Sequence, residues 1–94
     1  MKLLMVIVDD DKKEELEVVL RRSGVTGYTE LRHASGVGTT GPRLGSAAFP
    51  KTSAVIFTFV EDDAAPRLAQ ELRTYCSECG ERVRMVTWGV EEVV

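Results

Sequence analysis

The chain has 94 residues, of which 44% are hydrophobic and 29% are charged, and its formal net charge is −3. This length fits one domain with a limited core, and the composition is too apolar for intrinsic disorder. The small negative charge excludes a general attraction to nucleic acid or to anionic lipid. We expect one folded domain over residues 1–94 whose stability would gain from self-association.

The start of the chain could be mistaken for a targeting segment. Its apolar run, residues 1–8, is too short to span a bilayer, and the acidic residues after it do not fit a signal peptide. The two cysteines, with no secretion signal, indicate a reducing compartment. The sequence therefore predicts a cytoplasmic protein with no membrane insertion.

The first third of the chain predicts a strand, a helix and a strand. Apolar residues fill both alternating sets of residues 2–8, which is typical of a strand covered on both faces. Asp9–Asp11 then supply acids at a helix start, leucines recur at helical spacing, and Gly24 marks the end. Residues 26–35 mix β-formers with charges, which predicts a strand at the edge of a sheet.

The remainder predicts a loop, a strand, a helix and a strand. Residues 36–50 carry four glycines and two prolines, so we expect a long flexible loop with neither helix nor ladder bonds. Residues 52–60 again have apolar residues in both alternating sets. Asp62 and Asp63 offer a cap for a helix that would end at Gly80. Residues 83–88 make a last short strand.

The order βαββαβ predicts an α+β, ferredoxin-like fold with two helices on one face of a four-stranded antiparallel sheet. The first and third strands would then be central. Because both are apolar on each face, the second face of the sheet also needs a cover. Leaving even a few such side chains in water costs several kcal/mol at about 25 cal/mol per Å². Sheet-to-sheet oligomerisation is the simplest solution.

Two motifs could carry chemistry. Residues 36–41 match GxGxxG, but Pro42 follows where a dinucleotide site needs a helix, which leaves an anion-binding turn or a merely flexible one. Cys76 and Cys79 form a CxxC that could bind a metal or cycle between thiol and disulfide. They fall at a predicted helix end, where the dipole raises a thiol pKa, and this favours structural thiols.

The other candidate residues favour structural roles. The single histidine, His33, has no evident nucleophile as a partner and is interpreted as a strand residue. The acids at residues 9–11 and 61–63 each precede a helix, so helix capping is favoured over metal binding. Trp88 could stack on a ligand or fill a subunit contact, and the contact is commoner. No motif for an enzyme emerges.

Four short segments resemble, in order and spacing, the framework of the P-II signal-transduction family. They are Gly24-Val25-Thr26-Gly27-Tyr28-Thr29, Gly36-Val37-Gly38, Pro50-Lys51 and Asp62-Asp63. The resemblance runs from Met1 to about Tyr75 and implies a trimer of ferredoxin-like subunits whose sheets face inward. An oligomer of this kind is also what the strands with apolar residues on both faces require, without reference to the resemblance.

The resemblance also implies a site in clefts between subunits. It names an adenine nucleotide as the candidate ligand, with the base near strand one, the threonine-rich turn and strand three. Positions matching the base pocket are Ile7, Thr26, Gly27, Tyr28, Thr29 and Phe59. Gly36, Val37 and Gly38 match the start of a flexible loop that contacts phosphates. Through this loop the protein would regulate a partner, with a transporter or an enzyme as the candidates.

The chain departs from the family in its basic groups. The loop is short and lacks the modified tyrosine, Gly80-Glu81-Arg82 replaces a longer glycine- and lysine-rich loop, and the basic tail is missing. Arg82 and Arg43 remain to meet phosphate charge, so the resemblance does not extend to the usual sensing of ATP and 2-oxoglutarate. The alternatives are a metal-binding or redox-sensing trimer that uses Cys76 and Cys79, and a structural trimer without a ligand.

Overall fold

The computed structural model describes residues 1–39, 41–79 and 83–94, apart from the side chains of residues 76–79. Within this part, the elements are β1 (Lys2–Asp9), a 3-10 turn (Asp10–Lys12), α1 (Lys13–Arg22), β2 (Thr29–Ala34), β3 (Gly36–Gly38), β4 (Gly41–Arg43), β5 (Ser53–Val60), α2 (Ala64–Cys79) and β6 (Arg84–Gly89).

The main sheet confirms the predicted ferredoxin-like arrangement. Its strand order is β2-β5-β1-β6, and every neighbouring pair is antiparallel. The central strands β1 and β5 pair along their whole length, with Val6 opposite Ile56. On its other side Val6 lies opposite Met85 of β6. As expected, the first and third strands of the predicted order are central, and β2 lies at an edge.

One face of the sheet packs against both helices and forms the core. Alternate residues of β1 and β5 are buried here together with apolar residues of α1 and α2. These residues are Leu4, Val6, Val8, Leu16, Leu20, Ala54, Ile56, Leu68 and Leu72. Full burial of each large side chain contributes about 1.5–3 kcal/mol. This layer therefore supplies most of the hydrophobic stabilisation within the chain.

The opposite face, here called the open face, is also apolar and has no cover within the described chain. Its central members are half-buried and its outer members are more exposed. The open face consists of Leu3, Met5, Ile7, Leu31, Val55, Phe57, Phe59, Val86 and Trp88. Phe59 is 66% exposed and Trp88 is 41% exposed. The prediction of an apolar second face is confirmed.

The segment 36–50 differs from its prediction. We expected no ladder here, and that is wrong, because β3 and β4 form a two-stranded antiparallel hairpin. Gly41 has φ 108°, a left-handed conformation that glycine adopts without strain, next to the turn. Pro42 lies opposite Val37, and a strand of an isolated pair tolerates proline because it has a free edge. Flexibility of the segment stays a prediction.

Predicted helix caps at the acidic residues are also wrong for the first cluster. Asp9 precedes the 3-10 turn but makes no capping hydrogen bond, and α1 begins only at Lys13, after Lys12. The carboxylate of Asp9 instead contacts Arg43 of the hairpin, and that of Asp10 contacts Thr52, the residue before β5. Oppositely charged and hydroxyl partners outcompete the helix terminus for these carboxylates.

The edge strand β2 is shorter and less regular than predicted. It begins at Thr29 rather than Thr26, because Gly27 is held by a hydrogen bond from the Thr58 hydroxyl to its carbonyl oxygen (2.8 Å) instead of by a ladder. The register with β5 shifts between Leu31 and Ala34. His33 lies in this bulge with φ 58°.

The two faces of α1 allow a test of the core. Leu20 is fully buried, whereas Val18 on the same helix is 48% exposed. We expect Leu20→Ala to lower the free energy of unfolding by about 2–5 kcal/mol, because it leaves a cavity. Val18→Ala should change it by less than about 0.5 kcal/mol. Urea denaturation at one protein concentration measures both, and equal effects would contradict the assigned core.

Candidate functional site

Two concavities lie at opposite ends of the main sheet and share no lining residue. The first cavity, about 550 Å³, lies between the end of β1, the hairpin, the start of β5 and the start of β6. Ile7, Gly36, Val37 and Gly38 line it, so these sequence-predicted site residues come together. Its volume is within the range of small-molecule pockets.

Charged groups of both signs lie in the wall of the first cavity. Asp9 ends β1, Arg43 ends β4 and Arg84 begins β6, and all three line the cavity. Arg43 Nε donates to Asp9 Oδ1 at 2.9 Å, and Lys51 Nζ lies 3.5 Å from Asp9 Oδ2. Arg43 Nη1 also donates to the carbonyl oxygens of Gly41 (3.2 Å) and Pro42 (3.4 Å). The Asp9 carboxylate, at the end of β1, thus contacts both ends of the segment 43–51.

Asp10 fixes the neighbouring backbone. Its Oδ2 accepts hydrogen bonds from the Thr52 hydroxyl and from the backbone N–H of His33 (3.0 Å). Arg32 Nε lies 3.8 Å from Oδ1. Burial opposes ionisation, but the two hydrogen bonds and the nearby His33 and Arg32 hold the pKa of Asp10 below its usual range. Asp10 therefore joins the bulge of β2 to Thr52, the residue before β5.

The second cavity, about 220 Å³, lies beside the turn that follows α1. It contains three more of the sequence-predicted site residues, Thr26, Gly27 and Phe59, together with Thr58. Thr58 is 2% exposed, and its hydroxyl donates to the Gly27 carbonyl oxygen. A buried hydroxyl needs a partner, so this bond fixes the turn against β5.

Tyr28 and Thr29 line neither cavity. Tyr28 lies beside a polar cluster in which Lys13 Nζ is 3.4 Å from both Glu17 Oε1 and Glu30 Oε1. Hydrogen bonding between the two carboxyl groups lowers the pKa of Glu17 and raises that of Glu30. Burial opposes the charge of Lys13, but these carboxylates raise its pKa above the usual value. The cluster joins α1 to β2.

The family of the chain is shown by its similarity to known proteins. A family model described as "Nitrogen regulatory protein P-II" matches residues 1–93. The chain belongs to the P-II family. No curated protein sequence matches it. The resemblance of the short segments to P-II is thereby confirmed.

Solved structures with the same fold include PII-like proteins. CPII from Thiomonas intermedia K12, bound to ADP, AMP and bicarbonate, matches with a TM-score of 0.72 and 24% identity, over 95% of this chain and 86% of that chain. The apo form of CPII has a TM-score of 0.65 and 20% identity, over 95% and 89% of the two chains. A putative PII-like signalling protein from Thermus thermophilus has a TM-score of 0.70 and 20% identity, over 93% and 83%.

Some of the predicted site residues lie outside the described part of the chain. Arg82 is outside the described residues, and the side chains of Cys76 and Cys79, at the end of α2, are as well. Among the residues whose side chains are described, no group of three His, Cys, Asp or Glu could hold a metal. Within the described chain, no helix is long and apolar enough to cross a membrane.

The structure adds candidate site residues that the sequence did not indicate. Asp9 was interpreted as a cap, although it continues the alternating set of Ile7 and so belongs to the open-face side of β1. Arg84 lies opposite Ile7 in the sheet. A correct strand register would therefore have placed its charge beside the apolar residues of the open face. For Thr58, the sequence shows only a polar residue inside an apolar strand, and this does not mark it as a candidate site residue.

The lowered pKa of Asp10 gives a pH prediction. Its stabilising contribution should be complete above the unfolded-state pKa, about 3.8, and should disappear as pH falls through the lower pKa of the folded state. Asp10→Asn should therefore lower the melting temperature at pH 7 and progressively less below pH 3.8. The control is Asp11→Asn, which removes the same charge at an exposed neighbouring position and should leave the melting temperature at pH 7 nearly unchanged. If the loss of melting temperature in Asp10→Asn does not change with pH, this role of Asp10 is contradicted.

Proposed function

We propose that this P-II family member is a non-enzymatic regulatory protein, a homotrimer that binds an adenine nucleotide between subunits. The bound state would then control a partner protein, a transporter or an enzyme, through the segment 36–50. The regulatory character rests on the family, and the ligand is argued from the two cavities.

The observation that carries the proposal is the division of the expected site into two halves. The first cavity holds Ile7 and the glycines 36 and 38, and the second holds Thr26, Gly27 and Phe59. Ile7 pairs with Val55, whereas Phe59 pairs with Leu3, four residues away along β1 or roughly 13 Å. A ligand that needs both halves is best served when the first cavity of one subunit meets the second cavity of the next.

The open face supports the oligomer. Met5 and Phe57 pair at its centre and are only half-buried in the single subunit. Closing this face against other copies would remove a contiguous apolar surface from water, which favours association. A closed ring of three subunits buries the face in every copy and leaves no unmatched surface.

The charges favour a phosphorylated ligand of low charge. Arg43 and Arg84 line the first cavity and can pair with phosphate oxygens, but Asp9 lies beside them and opposes a high negative charge. CPII, which has the same fold, was solved with ADP, AMP and bicarbonate. ADP and AMP are therefore our proposed ligands, with the base towards the Thr26–Gly27 turn and the phosphates towards Arg43.

The oligomer can be tested at its apolar centre. Light scattering of the wild-type protein at micromolar concentration should give three times the subunit mass. Met5→Glu should give monomers, because it places a charge in the middle of the open face. Val18→Glu adds the same charge on the exposed side of α1 and should remain trimeric. A folded wild-type monomer or dimer would overturn the trimer.

The nucleotide can be tested through the turn that Thr58 holds. Thr58→Val keeps the size of the side chain but removes the hydrogen bond to Gly27, so ADP affinity should fall about three- to tenfold by calorimetry. Thr74→Val removes a hydroxyl that donates to the Gln70 carbonyl on the exposed side of α2 and should leave affinity unchanged. Absence of ADP and AMP binding to the wild-type trimer would overturn the proposed ligand.

A further inference from the structure

The contact between Asp9 and Arg43 lies in the wall of the first cavity, where the proposed function places the phosphates. Both side chains line the first cavity, and they are largely buried, with 13% and 19% of the side chains exposed. Their 2.9 Å separation is that of a charge-assisted hydrogen bond. The guanidinium that an incoming oxyanion would meet is therefore already held by a carboxylate of the same subunit.

The same contact fixes the hairpin. Arg43 is the last residue of β4, and besides Asp9 its Nη1 holds the carbonyl oxygens of Gly41 and Pro42. Asp9 is the last residue of β1, a central strand of the main sheet. The pair thus joins a rigid strand to a small sheet whose two strands, within the described residues, pair only with each other.

We infer that Asp9 is an internal competitor of the ligand: it occupies Arg43 in the empty subunit, and an oxyanion in the first cavity takes Arg43 over and frees the hairpin from β1. The ligand chemistry is an oxyanion, supplied by a nucleotide phosphate or by a free inorganic anion. This inference rests on the proposed function for the nucleotide source but not for the anion itself.

The exchange would leave no buried charge alone. When Arg43 turns to the oxyanion, Asp9 keeps Lys51, whose Nζ lies 3.5 Å from its second carboxylate oxygen. Lys51 is 55% exposed, so it can follow Asp9 without disturbing the core. A buried carboxylate without any partner would make the exchange costly, and Lys51 removes that obstacle. The hairpin then reports whether the cavity is filled.

Calorimetry on the full-length oligomer tests the competition. Asp9→Asn keeps the shape and an oxygen acceptor but removes the competing charge, so ADP and inorganic phosphate should each bind about fivefold more tightly than to wild type. Adenosine, which has no phosphate, should bind both proteins equally. Asp11→Asn removes the same charge at an exposed position and should have no effect. Arg43→Gln should weaken ADP binding but not adenosine binding.

Hydrogen exchange tests the release. The reference is the exchange rate of the backbone amides of residues 41–49 in wild type without ligand. These amides should exchange faster in Asp9→Asn without ligand. They should also exchange faster in wild type after ADP or phosphate is added. If ADP binds but Asp9→Asn and Asp11→Asn have equal affinities, the competition is overturned and the proposed function stands. If Arg43→Gln binds ADP as wild type does, the competition and the placement of the phosphates at Arg43 are both overturned, but the proposed ADP binding stands. If ADP does not bind to wild type, the nucleotide proposal is overturned. The competition is then decided by the phosphate affinities alone, and it is overturned if Asp9→Asn binds inorganic phosphate no more tightly than wild type does.

Discussion

Two central strands that are apolar on both faces are the constraint from which the rest of the structure follows. The helices α1 and α2 cover one face, where Leu4, Val6 and Ile56 are fully buried. No second layer of helices exists in the described chain to cover Met5 and Phe57 on the other face. In the described chain the open face therefore remains an uncovered apolar surface, and the two cavities lie at opposite ends of the same sheet. The homotrimer that we propose would bury this surface.

The sheet could be predicted from sequence because two-sided burial leaves a clear signal. The order βαββαβ placed β1 and β5 in the centre, and their apolar residues in both alternating sets agree with that position. The hairpin could not be predicted in the same way. Glycine has no side chain to show a period, and the contact that holds the hairpin joins Asp9 to Arg43, 34 residues apart. Only the folded chain brings these two charges together.

Only parts of the candidate site could be indicated by the sequence, for a similar reason. The resemblance to P-II indicated Ile7 and the glycine turns, because such motifs are short and local. Arg84 depends instead on strand register, because it lies opposite Ile7 in the folded sheet. Thr58 depends on the folded position of the turn, because its hydroxyl donates to the Gly27 carbonyl oxygen. Asp9 was misinterpreted because an acid before a helix is usually a cap. Here a guanidinium across the cavity is the stronger partner.

The bulge in β2 determines how the sheet can grow. An edge strand with regular spacing invites pairing with a strand of another molecule, which leads to open-ended aggregates. In β2 the register shifts after Leu31, His33 turns to φ 58°, and its N–H is already bonded to Asp10. An incoming strand would find the ladder interrupted there. Pairing of another strand along the β2 edge is thereby discouraged, whereas the apolar open face is left without cover in the described chain.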